Sequence, residues 1–172
     1  MARALHHAGC RQFFTATHRE GMVLRSLLPE VDIFVLEGVG EHSCDALHEH
    51  RLVPVLISLS QAHTWCAYAG KLGQTLPAVI NIDSGMTRLG FSRTELQQWL
   101  AEDDALQALE LLYVMTHFAC ADDSDLTRVH QQLARFNEMR ELLPPLPTSI
   151  GNSAGSLLGP EFAGDMARMG IA

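Results

Sequence analysis

Short apolar runs that do not alternate, each separated from the next by a helical stretch, constrain this chain more than any other feature. Seven such runs stand in order: "QFFTAT", "DIFVLEG", "LVPVLIS", "PAVINID", "LELLYVMTHF", "PTSIGN" and a final "DMARMGIA". A strand with one wet face alternates polar and apolar residues, whereas a strand covered on both faces reads as a continuous apolar run in a parallel sheet. The segments between them carry helix signals: "ARALHHAG", "REGMVLRSLL", "SCDALHEH", "QAHTWCAYAGKLG", "TELQQWLAE" and "SDLTRVHQQLARFNEMRELL". Ser92 and Glu95 have capping-box spacing, and Ser124 or Asp125 is placed to cap the longest helix. "LLPPLP" stops that helix, because proline cannot continue it.

Strand–helix units in such a series fit a (β/α)8 barrel better than an open sheet. A barrel needs eight strands, and about 250 residues is typical. With 172 residues, the expectation is an α/β fold. Specifically, it is an incomplete (β/α)8 TIM barrel covering about strands 2 to 8, with residues 1–172 as one partial domain. A chain that opens on a helix and closes on a strand reads as cut at both ends.

Charge and composition narrow the function. Apolar residues make up 47% and charged residues 19%, which is a folded, globular balance. The net charge is −8, with twelve Lys and Arg in all, which argues against a nucleic-acid partner. No apolar run reaches the roughly 18 residues of a membrane span, and "MARALHHAGC" lacks the apolar core of a signal peptide. The four cysteines show no CxxC spacing, so reduced thiols and a cytoplasmic location are expected. Lys71 is the only lysine.

Barrels keep their reactive groups where strands end and loops begin. Those positions here are Leu36-Glu37-Gly38, Asp83-Ser84-Gly85 leading to Arg88, Thr116-His117-Phe118, Asn152-Ser153-Ala154-Gly155, and Arg168 before Gly170-Ile171. Ser153 is placed to open a helix, where its hydroxyl and the amides behind it make an anion site. Gly170 would let backbone approach the same anion. The chemistry expected is a phosphorylated small ligand, with Arg88 and Arg168 at its other end. Taken singly, each residue has a plainer reading: Ser153 as an N-cap, His117 as a core histidine, Arg168 as half of an ion pair, Asp83 as a turn cap. Their joint placement on one rim favours the ligand. "HH", "HEH" and "HQQ" lack the spacing of zinc ligands, so no metal site is expected, and "GVGEHS" does not complete a dinucleotide loop.

"NIDSGMTRLGF", "MTHFACADD", "IGNSAG" and "ARMGIA" resemble, in this order, the motifs of alanine racemase, and the resemblance covers essentially all of the chain. It implies a (β/α)8 barrel that holds pyridoxal 5′-phosphate (PLP), followed by a β-rich C-terminal domain. It also implies a homodimer that interconverts L- and D-alanine and so supplies D-alanine for peptidoglycan. Carried over, Arg88 contacts the PLP ring hydroxyl and the substrate carboxylate, and Arg168 faces the pyridine nitrogen. His117 belongs to the network with Arg168 that orients a catalytic tyrosine. Ser153 and the amides of Gly170 and Ile171 take the phosphate, while Asn152 and Leu36 line the cofactor.

The sequence also departs from the family. The first-strand lysine that attaches PLP is absent, Lys71 belongs to an outer helix, and Tyr68 and Tyr113 lie in the wrong elements to act as the second base. Asn81 stands where many members carry a modified lysine. The chain alone is therefore expected to be inactive. The alternatives are a non-catalytic module for PLP or another phosphate ligand, a PLP-homeostasis protein, and a racemase for another amino acid.

Overall fold

The computed structural model describes residues 1–102 and 104–170. Its strands are β1 (Gln12–Thr15), β2 (Asp32–Val35), β3 (Val53–Leu56), β4 (Leu76–Asn81), β5 (Leu109–Met115) and β6 (Thr148–Ser149). They form one sheet in chain order, and each pairs in parallel with the next. Helix α1 (Ala2–His7) precedes β1. The crossovers are α2 (His18–Leu27), α3 (Cys44–Glu49), α4 (Leu59–Leu72), α5 (Arg93–Leu100) and α6 (Thr127–Arg140).

The apolar runs do not alternate because both faces of the sheet are buried. Ile33 and Val35 on β2, Leu56 on β3, and Ala78 and Ile80 on β4 join the large core beneath the helices. Their neighbours Phe34, Val53, Val55 and Val79 point the other way, into a second apolar cluster with Met115. On the helical side Trp65, Leu96, Trp99 and Phe136 are at most 1% exposed, and the Trp65 indole N–H donates to Pro77 O at 3.1 Å.

The sheet is strongly curled. Gln12 Nε2 on β1 donates to the Tyr113 hydroxyl on β5 at 3.0 Å. Four strand spacings of a flat sheet would separate those strands by about 19 Å, further than two side chains can bridge. The Arg168 guanidinium, beyond β6, lies 5.9 Å from the centre of the Phe14 ring on β1. The concave side is the interior of a partial barrel.

Most of the sequence expectations hold. The first six apolar runs are strands, and Ser92 and Glu95 form the capping box, with Glu95 N donating to Ser92 Oγ and Ser92 N to Glu95 Oε2. Helix α6 starts at Thr127, later than "SDLTRVH" suggested, with Asp125 Oδ1 accepting from Thr127 N at 2.9 Å. The run "DMARMGIA" is not a strand over its described residues, 165–170. Asp165 N and Met166 N both donate to the single carbonyl of Thr148, and the Asp165 carboxylate turns back to accept from Thr148 N and Oγ1. Two donors on one carbonyl leave no regular ladder.

Candidate functional site

The C-terminal ends of β4, β5 and β6 converge on a cavity of about 1170 Å³ on the concave side, lined by Leu36, Asn81, Arg88, His117, Arg168 and Gly170 among others. Arg88 stands on a loop closed on itself at the end of β4. Asp83 N donates to Phe91 O and Phe91 N to Asn81 O, Asn81 Nδ2 donates to Leu89 O, and Asp83 Oδ1 accepts from Gly85 N and Thr87 N. So tight a ring needs glycine at Gly90, where φ is +123° and a Cβ would stand 2.6 Å from Asp83 N. Arg88 is exposed and makes no ion pair among the described residues.

Arg168 is held more firmly, and entirely by neutral groups. Its Nη1 donates to Ser149 O at 2.8 Å and to Ser149 Oγ at 2.6 Å, and its Nη2 donates to Thr116 O. Among the described residues no carboxylate pairs with it. Burial pushes this guanidinium down to about 10, so it stays charged at neutral pH without a counter-ion.

His117 Nδ1 lies 3.3 Å from Arg168 Nη2. A guanidinium only donates, so Nδ1 accepts and the proton of the neutral ring sits on Nε2. Burial first, then the charges of Arg168 and Arg88, push His117 down to about 4. This gives a pH prediction. The unfolded chain takes up the proton near 6.5 and the native chain only near 4, so the unfolded state binds more protons between those values. The contribution of His117 to stability is complete above pH 6.5 and is lost as pH falls towards 4. In urea unfolding, the advantage of the wild type over His117→Asn should shrink across that window; a constant difference would contradict it.

The remaining expected residues divide. Gly170 N donates to Ser153 Oγ at 3.0 Å, so the two groups proposed for a phosphate do meet. Ser153 does not open an α-helix: a single 3-10 turn, Gly155–Leu157, follows, and Asn152 Oδ1 accepts from Gly155 N at 2.8 Å. Asn152 Nδ2 donates to Phe118 O, so both ends of that side chain are committed to local structure. Asn152 and Ser153 are not among the residues lining the cavity; Ser153 is tied to it through Gly170. Leu36 lines it, and Ile171 lies outside the described residues. Lys71 is exposed near the end of α4 and lines a different groove with Asp45 and Tyr68.

The sequence alone assigns no role to three buried polar residues at the same strand ends: Ser84, Thr116 and Ser149, each at most 1% exposed. Nothing local marks them, since a small hydroxyl residue after an apolar run reads as a strand end. Asn81 is 7% exposed, lines the cavity, and leaves its Oδ1 without a partner. Among the described residues there is no group of three or more metal-ligating side chains and no helix long and apolar enough to cross a membrane.

Helix-backed parallel strands that present two arginines without ion pairs among the described residues, a neutral histidine and a Ser–Gly pair at one rim form a candidate (β/α)-barrel site whose chemistry suits a small anionic ligand. The sequence family described as "Alanine racemase, N-terminal domain" matches residues 1–172. The catabolic alanine racemase of Agrobacterium fabrum is 40% identical over all of this chain and 45% of its own length; the alanine racemase of Rickettsia conorii is 36% identical, with 49% of its length covered. The crystal structure of alanine racemase from Bartonella henselae with covalently bound pyridoxal phosphate superposes with a TM-score of 0.94 at 34% identity, over 99% of this chain and 50% of that one. The chain belongs to the alanine racemase family, matching its N-terminal domain, and spans about half the length of the curated relatives it matches.

Proposed function

We propose that this rim binds pyridoxal 5′-phosphate and that the chain provides the cofactor-holding part of a PLP-dependent isomerase that interconverts L- and D-alanine. The observation that carries the reading is Arg168, a charged, ligand-ready guanidinium fixed by neutral acceptors at the strand ends. The residues present fit the group. The cavity is roomy enough, a Ser–Gly pair suits a phosphate, and two unpaired cations suit a polyanion.

PLP, when bound, supplies an electron-withdrawing ring that makes the Cα proton of an amino acid removable. The residues of this chain bind and orient. Arg168 keeps its proton at neutral pH, so it would face a ring nitrogen as a hydrogen-bond donor and would leave that nitrogen largely unprotonated. Arg88, which lines the same cavity, would hold the ring hydroxyl and the substrate carboxylate. His117 would offer its Nε2–H beside Arg168, and the Ser153 hydroxyl, whose oxygen accepts from Gly170 N, would donate its own proton to the phosphate.

Exchange between mirror-image amino acids by two bases needs one base on each face of Cα. Lys71 lies in the groove between α3 and α4, the Tyr68 hydroxyl donates to Asp45, and the Tyr113 hydroxyl is engaged by Gln12. None of the three is at the rim, so the chain alone is expected to bind without racemising. A homodimer in the cytoplasm is the assembly and location in keeping with this reading.

Absorbance titration of the purified chain tests it. Saturable binding of PLP is expected, with pyridoxal, which lacks the phosphate, binding at least tenfold more weakly. Failure to saturate, or equal affinity for the two, would overturn the proposal.

A further inference from the structure

Two buried hydroxyls join the loop that carries Arg88 to the strand end that holds Arg168. Thr116 follows β5 directly and Ser84 opens the β4 loop; each is 1% exposed. Their hydroxyl oxygens are 2.8 Å apart, and Thr116 Oγ1 also lies 2.8 Å from Ile82 O. A carbonyl can only accept, so the single Thr116 proton goes to Ile82 O. Ser84 is therefore the donor to Thr116. The carbonyl of Thr116 accepts from Arg168 Nη2, and its N–H donates to Ser149 O, which itself accepts from Arg168 Nη1.

Thr116 thus bonds Arg168 directly and the loop that carries Arg88 through a different atom: its carbonyl accepts from the guanidinium, and its hydroxyl meets Ser84 and Ile82 O. No other hydrogen bond among the described residues runs from a Ser84 side-chain atom. The loop is closed on itself through Asp83 Oδ1 and the Asn81–Phe91 pairing, and the Ser84 hydroxyl ties that closed ring to the end of β5.

We propose that Ser84 is a positioning residue whose hydrogen bond to Thr116 sets Arg88 and Arg168 in register with each other, so that one PLP molecule engages both. This rests on the proposed function. The plainer reading, that two buried hydroxyls merely satisfy each other, predicts a uniform effect on folding and none on how the two arginines act together.

The test is a double-mutant cycle on PLP binding in the full chain. Affinity is measured for the wild type, Arg88→Ala, Arg168→Ala and the double variant, then for the same four in a Ser84→Ala background. In the wild-type background the combined loss should depart at least threefold from the product of the single losses. In the Ser84→Ala background it should equal that product, and Ser84→Thr should restore the departure. An equal departure in both backgrounds, or none in the wild type, would overturn the inference while leaving the proposed function standing. Absence of saturable binding by the wild-type chain would instead remove the proposed function, and this inference with it.

Discussion

Valine in place of Gly90 is expected to lower the stability of the chain by about 2–6 kcal/mol, from backbone strain and overpacking of roughly 1–3 kcal/mol each. A Cβ there would stand 2.6 Å from Asp83 N and 2.9 Å from Ile82 C, both backbone atoms that cannot swing away, at a φ of +123° that a β-branched residue avoids. The loop that carries Arg88 closes at this point, so PLP binding should fall together with stability. Gly70 is the control. A Cβ there meets nothing within 4 Å, and Gly70 lies inside α4, where Gly70→Ala should stabilise by about 0.5–1 kcal/mol. Denaturant unfolding of the two variants checks both signs; a Gly90→Val chain as stable as wild type would contradict the closed-ring account of the loop.

The second large effect is on the ligand. Arg168→Ala should weaken PLP binding by about 10- to 150-fold, the equivalent of roughly 1.5–3 kcal/mol for a hydrogen bond from a charged donor. Arg168→Lys should recover little of it. A single ammonium cannot reproduce a guanidinium whose two terminal nitrogens reach Ser149 on one side and Thr116 on the other. Absorbance titration reads both variants, and an affinity for Arg168→Ala within twofold of wild type would remove Arg168 from the site.

The architecture was legible because its signal is local and repeated. Apolar strands buried on both faces leave no alternation, and Ser92, Glu95 and the proline stretch after α6 fix helix ends by short-range chemistry. Lys71, beside Gly70 and Gly73, reads as the end of an outer helix, and it lies in the last turn of α4. The arginines and His117 were legible as residues at strand ends, which is a topological position. What failed needed three dimensions. Residues 165–170 look like a strand by composition, but Thr148 O takes two of their N–H groups and Asp165 folds back onto Thr148. Ser153 reads as a helix cap, yet only a single 3-10 turn follows, and the Gly155 N–H is taken by Asn152 Oδ1. Ser84, Thr116 and Ser149 became visible only once β4, β5 and β6 stood side by side, because they act through partners 32 and 19 positions away in the chain.

The claim at the centre of this account is where the ligand sits. Backbone and arginine side-chain NMR of the isotopically labelled chain, recorded as PLP is added, locates it directly. The account predicts saturable shifts at Arg88, His117, Ser153, Arg168 and Gly170, with Asp45, Tyr68 and Lys71 unmoved. Shifts confined to the groove of Asp45, Tyr68 and Lys71, with the rim silent, would contradict it.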